Sequence, residues 1–293
     1  MNRAPDWLAP VVLSEPVVDG DETRSAASLM AFFALAFAWS WTCWFLGAAL
    51  KLDSPIAATA LSMTSGFGPS LAAVVVIFHT KGRAGLRRWL TLCLQWRVGW
   101  RWVRWVLLAF VFPAVYMGLA AAAHVALGGT LPPSPAEDHV WLAVANVLLI
   151  FLVGGPLGEE FGWRGYALPA LQARCRWRVA SLLLGVVWAA WHLPLFYSAG
   201  TLQSHLPLGW YALSLIASSV LFAWLFNRSQ GSVVPVLVLH TAINAWFLIF
   251  PVMVLPDGSN LRPFQIVVGI LVLTAIALMV FGEQSPNKVV RPV

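Results

Sequence analysis

The chain has 293 residues, 60% hydrophobic and 10% charged, with a mean hydropathy of +0.78 and a net charge of +6. Soluble domains carry about 25% charged residues, so this composition excludes an ordinary soluble protein. The basic excess belongs to membrane topology and to contact with anionic lipid, and nucleic acid is not an expected partner.

Residues 1–25 hold Asp6, Glu15, Asp19, Asp21, Glu22, Arg3 and Arg24 among prolines, with no apolar run. They lack the pattern of a cleaved signal peptide and read as a flexible cytoplasmic tail. A transmembrane domain is expected over 26–282 and a second cytoplasmic tail over 283–293. Within it lie about eight apolar stretches long enough, or nearly so, to cross a bilayer core. They fall at 26–50, 56–78, 103–127, 140–158, 179–197, 208–226, 232–250 and 264–280. The fold class is all-α, a polytopic transmembrane helical bundle. With both termini cytoplasmic, every lysine and arginine except Lys51 and Arg262 falls on the cytoplasmic side, as the positive-inside rule requires.

Between the second and third stretches, Arg87, Arg88, Trp89, Leu90, Leu92 and Leu94 predict a short amphipathic helix on the membrane surface, with its tryptophans at headgroup level. Cys43, Cys93 and Cys175 form no metal-binding spacing.

The fourth stretch ends in Gly154-Gly155-Pro156, which predicts a bend or unwinding at membrane depth. Glu159 and Glu160 follow at once; every other acid in the chain falls in a tail or loop. Ionisable groups at that depth are expensive and read as functional by default. Glu160 and Arg164 stand four residues apart with the acid N-terminal, the favourable order for an ion pair on one helix face. Glu159 is rotated by about 100° from Glu160, which leaves it free for proton transfer.

The fifth stretch carries Trp188 and His192, closing near Pro194, and the seventh carries His240 and Asn244 one turn apart. Each needs a polar partner in hydrocarbon, and gathering around one wet cavity satisfies all of them. A glutamate beside bound water suits general-base work. The histidines suit a share in that work, metal ligation or donation to an oxyanion, and asparagine suits oxyanion donation better than metal binding. His79, His124, His139 and His205 lie at span ends or in loops and receive no catalytic role. No His-Glu-x-x-His occurs, no aspartate lies within a span, and no Gly-x-Ser-x-Gly appears, which sets aside the usual zinc-protease helix, an aspartyl dyad and a serine elbow.

Glu159-Glu160-x-x-x-Arg164 with Gly165 to Leu171, Trp188-x-x-x-His192-Leu-Pro-Leu-Phe196, and His240-x-x-x-Asn244 preceded by Gly231-Ser-Val-Val-Pro235 resemble the three motifs of the CAAX-protease and bacteriocin-processing (CPBP) family of intramembrane metalloproteases. The similar region, and so the expected catalytic core, spans about 140–250; the polar tail and first span have no evident counterpart. The resemblance implies an endopeptidase of the type II CAAX kind, acting on a membrane-bound protein or peptide. Its eukaryotic relatives remove the last three residues of prenylated proteins on the cytoplasmic side. It further implies that Glu159 activates water with help from His192, and that Glu160 and Arg164 shape the site. His240 and Asn244 would hold the scissile carbonyl or, alternatively, take part in binding zinc; the ligands for such an ion would be Glu159, His192 and His240. Trp188 stands where phenylalanine is commoner, which implies altered packing and pocket size with unaltered chemistry. The expected location is a bacterial inner membrane, with the chain crossing it many times.

Two other readings are weighed against the hydrolase. One is a non-catalytic peptide-binding or bacteriocin-immunity protein on the same scaffold. The other is a transporter using Glu159 as a proton site, which lacks the repeated halves such proteins show.

Overall fold

Hydrocarbon offers no water to backbone N–H and C=O groups, so apolar runs fold as helices. In the computed structural model, which describes residues 19–50, 60–61, 63–95, 100–134, 140–153, 155–198, 200–247, 249–253 and 260–282, every regular element is helical. In chain order these are α1 (Asp19–Leu50), α2 (Gly68–Cys93), α3 (Trp100–Ala126), α4 (Val140–Val153) and α5 (Pro156–Gly162). A π-helical turn (Trp163–Ala167) and α6 (Leu168–Gln172) follow, then α7 (Trp177–Trp191), two short 3-10 turns, α8 (Leu208–Arg228), α9 (Val234–Trp246) and α10 (Arg262–Phe281). Residues 1–18 of the expected N-terminal tail and the expected tail 283–293 lie outside the described residues, and α1 begins at Asp19.

Among the described residues, 5 helices are long and apolar enough to cross a membrane: 25–50 within α1, most of α3, α7 with its 3-10 extension, α8 and α10. The bent pair formed by α4 and α5–α6, diverging by 41°, makes a sixth if it counts as one span. Three expected stretches depart from simple spans. No single helix covers 56–78: a turn at Gly66 and Phe67 precedes α2, which then runs on to Cys93 and takes Lys81, Arg83, Arg87 and Arg88 with it. The fourth stretch is broken, as Gly154-Gly155-Pro156 predicts. The seventh yields α9, only 13 residues, or about 20 Å of helix.

Side chains left outside the bundle, such as Met30 and Phe45 on α1, Leu119 on α3 and Leu273 and Val280 on α10, are large, apolar and exposed. Such a surface belongs in lipid. Inside, α7 packs along α8, α1 along α2, and α9 and α10 along α3.

The distal half of α2 corrects one expectation. Beyond a break at Gly82 (φ 63°), its apolar face is Gly85, Trp89 and Cys93, all buried, with Arg83, Arg87 and Arg88 exposed opposite. Trp89 turns into the protein and packs edge-on against Phe161 at 5.9 Å. The reason lies in the π-helical turn. Pro169 has no N–H to offer the carbonyl of Gly165 four residues back, and the Trp89 indole N–H donates to that carbonyl at 3.0 Å. Of the face predicted for a membrane surface, Trp89 covers protein, while Leu90 and Leu94 remain exposed.

Two glycines set the position of α5. Gly158 and Gly162 lie one turn apart and face the backbone at Gly66 and Pro69, where a Cβ on Gly158 would approach the Gly66 carbonyl oxygen to 2.5 Å. Small residues let two membrane helices close to backbone distance, and Ser70 Oγ donates to the Leu157 carbonyl at 3.0 Å across the same contact. The acid pair is thereby pinned against the start of α2. From the other side α1 supplies Phe32, whose ring meets Trp163 at 5.6 Å, and Trp41, whose indole N–H donates to the Trp191 carbonyl at 2.9 Å. The first span is part of the wall around the site.

Candidate active site

Pro156 at the first position of α5 costs no hydrogen bond, since that N–H would lack an intrahelical partner in any case. The residue before it, Gly155, has φ 107°, a conformation open to glycine and strained for other residues. The chain therefore turns sharply and presents Glu159 in the first turn of α5, with its backbone N–H donating to the Gly155 carbonyl at 2.8 Å. The N-terminal end of a helix favours negative charge.

The two carboxylates divide as their positions on the helix require. Glu160 is fully buried, and its Oε1 accepts from Arg164 Nη1 at 2.8 Å, the ion pair expected from their spacing. The same oxygen lies 2.7 Å from His240 Nδ1, a contact between α5 and α9. Arg164 is also fully buried, with its guanidinium 4.3 Å from the Trp188 ring centre and 4.4 Å from that of Phe222. Aromatic faces stabilise a cation where water is excluded. Glu160 and Arg164 are thus a closed pair with no surface.

Glu159 belongs to a different environment. Its Oε2 accepts from the Trp188 indole N–H at 2.6 Å. Its Oε1 faces Gly155, where an added Cβ would stand 2.7 Å from that oxygen and 3.9 Å from His240 Nε2. Glu159 Oε1 and His240 Nε2 therefore border one small space that glycine leaves open. Glu159, His192 and His240 retain 5%, 7% and 6% exposure against zero for Glu160 and Arg164, so the first three form the accessible rim.

The histidine tautomers follow from their partners. His192 closes α7, with Nδ1 2.8 Å from the Trp188 carbonyl. A carbonyl only accepts, so Nδ1 carries the proton and Nε2 of the neutral ring is left with its lone pair. In His240 the Glu160 carboxylate imposes the same division. Each neutral ring thus presents an acceptor at Nε2.

Trp188 is the hub. Its ring centre is 6.0 Å from that of His192, 5.7 Å from His240 and 5.6 Å from Phe222. Trp188 thus meets both histidines. Besides the packing expected of Trp188, its indole N–H bonds the acid. Asn244 follows His240 by one turn of α9 and is half-buried.

Gly155 is read from sequence only as part of the bend; the residues missed altogether are Phe222 and Tyr211, whose ring lies 5.5 Å from His192 and whose hydroxyl accepts from Gln203 Nε2 at 3.3 Å. One signal was legible. An indole N–H four residues before His192 in an apolar helix needs an acceptor.

Among the described residues no three His, Cys, Asp or Glu side chains are grouped to hold a metal ion. Glu159 and the two histidines are instead arranged around the Trp188 indole. An apolar cavity of about 200 Å³, lined by Leu108, Phe112, Trp224, Leu239 and Leu278 among others, lies among α3, α8, α9 and α10, and neither glutamate lines it. His124 sits far along α3 and is held by Arg262 Nε at 3.1 Å and the Thr130 carbonyl at 3.2 Å, in keeping with a structural part.

Residues 139–246 match the family of type II CAAX prenyl endopeptidases described as Rce1-like, close to the limits expected from the three motifs. The chain is also 24% identical over 263 residues to CAAX prenyl protease 2 of Methanococcus maripaludis, a match covering 86% of this chain and 93% of that protein.

Proposed function

We propose that this chain, which carries a type II CAAX prenyl endopeptidase Rce1-like domain over residues 139–246, is an intramembrane endopeptidase. It hydrolyses a peptide bond of a membrane-associated substrate, either a CAAX-like C-terminus or a peptide precursor, with water activated by Glu159. The observation that carries this reading is the shared space beside Gly155, bordered by Glu159 Oε1 and His240 Nε2 while Oε2 and Nδ1 are tied to Trp188 and Glu160.

The steps follow from those groups. A water hydrogen-bonded to Glu159 Oε1 gives up a proton to it as the water oxygen bonds the scissile carbonyl carbon. His192 Nε2, with its proton fixed on Nδ1, accepts the second hydrogen of that water and orients it. Negative charge then develops on the former carbonyl oxygen. Asn244 donates to it, and His240 borders the same space. On collapse the carbon–nitrogen bond breaks, and the proton on Glu159 passes to the departing amine. Glu160 and Arg164 hold His240 and take no part in bond making.

Each of these steps uses side chains alone. A divalent ion such as zinc, held by Glu159, His192 and His240, is the other assignment for these residues and would require them to draw together. The distribution of arginine and lysine supports eight crossings with both termini cytoplasmic, which puts the Arg164 end of the site on the cytoplasmic side. Reconstitution of the purified chain in lipid vesicles tests the reading, using a C-terminally prenylated CAAX peptide and an unprenylated precursor peptide. Release of a C-terminal fragment from either supports it. Binding of a peptide with no cleavage is the behaviour of a non-catalytic member of the same scaffold.

A further inference from the structure

We propose that Trp188 is a positioning residue for the water-activating glutamate, acting through its indole N–H on Glu159 Oε2, an inference that rests on the endopeptidase reading above. A carboxylate on a flexible stem has two equivalent oxygens and several rotamers, and general-base work needs one oxygen aimed at one place. At 2.6 Å the Trp188 bond is short, as expected of a donor to a charged acceptor. With Oε2 held, Oε1 is the oxygen that faces Gly155 and His240 Nε2.

Trp188 is well placed for the task because it is itself immobile. It is 3% exposed, and its ring is wedged between the Arg164 guanidinium, Phe222 and the two histidines. Its backbone carbonyl fixes the proton of His192 on Nδ1. One residue thus orients the acid through its side chain and sets the tautomer of the neighbouring histidine through its main chain. A phenylalanine here would keep the carbonyl and most of the packing and lose only the donor. The competing view makes Trp188 a core residue whose N–H happens to find an acceptor, and the two views differ in what removal of the N–H does to turnover.

The decisive variant replaces Trp188 in the full-length chain by 3-benzothienylalanine, in which sulfur takes the place of the N–H and the ring shape is kept. It is measured beside W188F in vesicles with the prenylated peptide. A lost hydrogen bond to a charged group corresponds to a fall in kcat of about ten- to a hundredfold. That fall is expected in both variants, with KM changed less than about twofold and the melting temperature of the sulfur variant unchanged. Wild-type kcat in the sulfur variant overturns the proposal, and so does a fall matched by loss of folded protein. A second readout is independent of activity. In proton NMR of the indole N–H groups, the Trp188 resonance, identified by its loss in W188F, is expected downfield and moves upfield in E159A. No movement overturns the proposal. If the wild-type chain cleaves neither peptide, the endopeptidase reading fails, and the resonance still decides whether Trp188 holds Glu159.

Discussion

His240 Nδ1 and Arg164 Nη1 meet on a single oxygen, Oε1 of Glu160, at 2.7 and 2.8 Å. Two adjacent glutamates are thereby assigned opposite duties. Glu160 joins α5 to α9 through His240 and is spent in doing so, whereas Glu159 keeps one oxygen uncommitted.

Removing the charge of Glu160 therefore acts on stability before it acts on chemistry. E160Q leaves the Arg164 guanidinium buried without its counter-ion, a defect of about 3–5 kcal/mol. Thermal unfolding in detergent is expected to show a large fall for E160Q and partial recovery in the double variant E160Q/R164M. Equal melting temperatures for E160Q and wild type would show that the pair is not structural.

Gly155 separates geometry from charge. In G155A the new Cβ would stand 2.7 Å from Glu159 Oε1, at a residue whose φ is 107°, so the carboxylate must turn away or the loop must shift. A displacement of this size costs about a hundredfold in rate. Steady-state cleavage normalised to folded protein should show it mainly in kcat, alongside the loss of stability that φ 107° imposes on alanine; a wild-type kcat would contradict it.

Trp89 supports the same site from beneath. W89F removes the N–H that serves the Gly165 carbonyl, leaving a buried acceptor unpaired at about 1–3 kcal/mol. Chemical unfolding is expected to report that loss, with KM unaffected because Trp89 lines no part of the rim. A W89F chain as stable as wild type would argue that the carbonyl has another donor.

The limits of sequence reasoning here are physical. Glu160 and Arg164 were legible because both ends of their contact lie on one helix turn. The His240 contact with Glu160 was not, because it joins residues separated by 80 positions and no local spacing encodes it. Trp89 was placed at the lipid surface because an apolar stripe looks the same whether lipid or protein covers it. Gly66 and Phe67 interrupt a run that hydropathy alone reads as one span, since composition averages over the turn. The break at Gly154-Gly155-Pro156 could be read directly, because proline and glycine act on the backbone itself.

Metal dependence has a direct expectation. With each step carried by side chains, cleavage by the purified chain should survive exhaustive chelation, and elemental analysis should find no stoichiometric divalent ion. Loss of activity on chelation, restored by zinc, would reassign Glu159, His192 and His240 as ligands.

Water activation by Glu159 is tested most directly by E159Q, which keeps the shape of the side chain and an oxygen able to accept from Trp188 while removing the base. With folding matched to wild type by its melting curve, single-turnover cleavage of the prenylated peptide in vesicles should slow by about a hundred- to ten-thousandfold. Cleavage by E159Q at the wild-type rate would contradict the assignment and leave the acid without a chemical task.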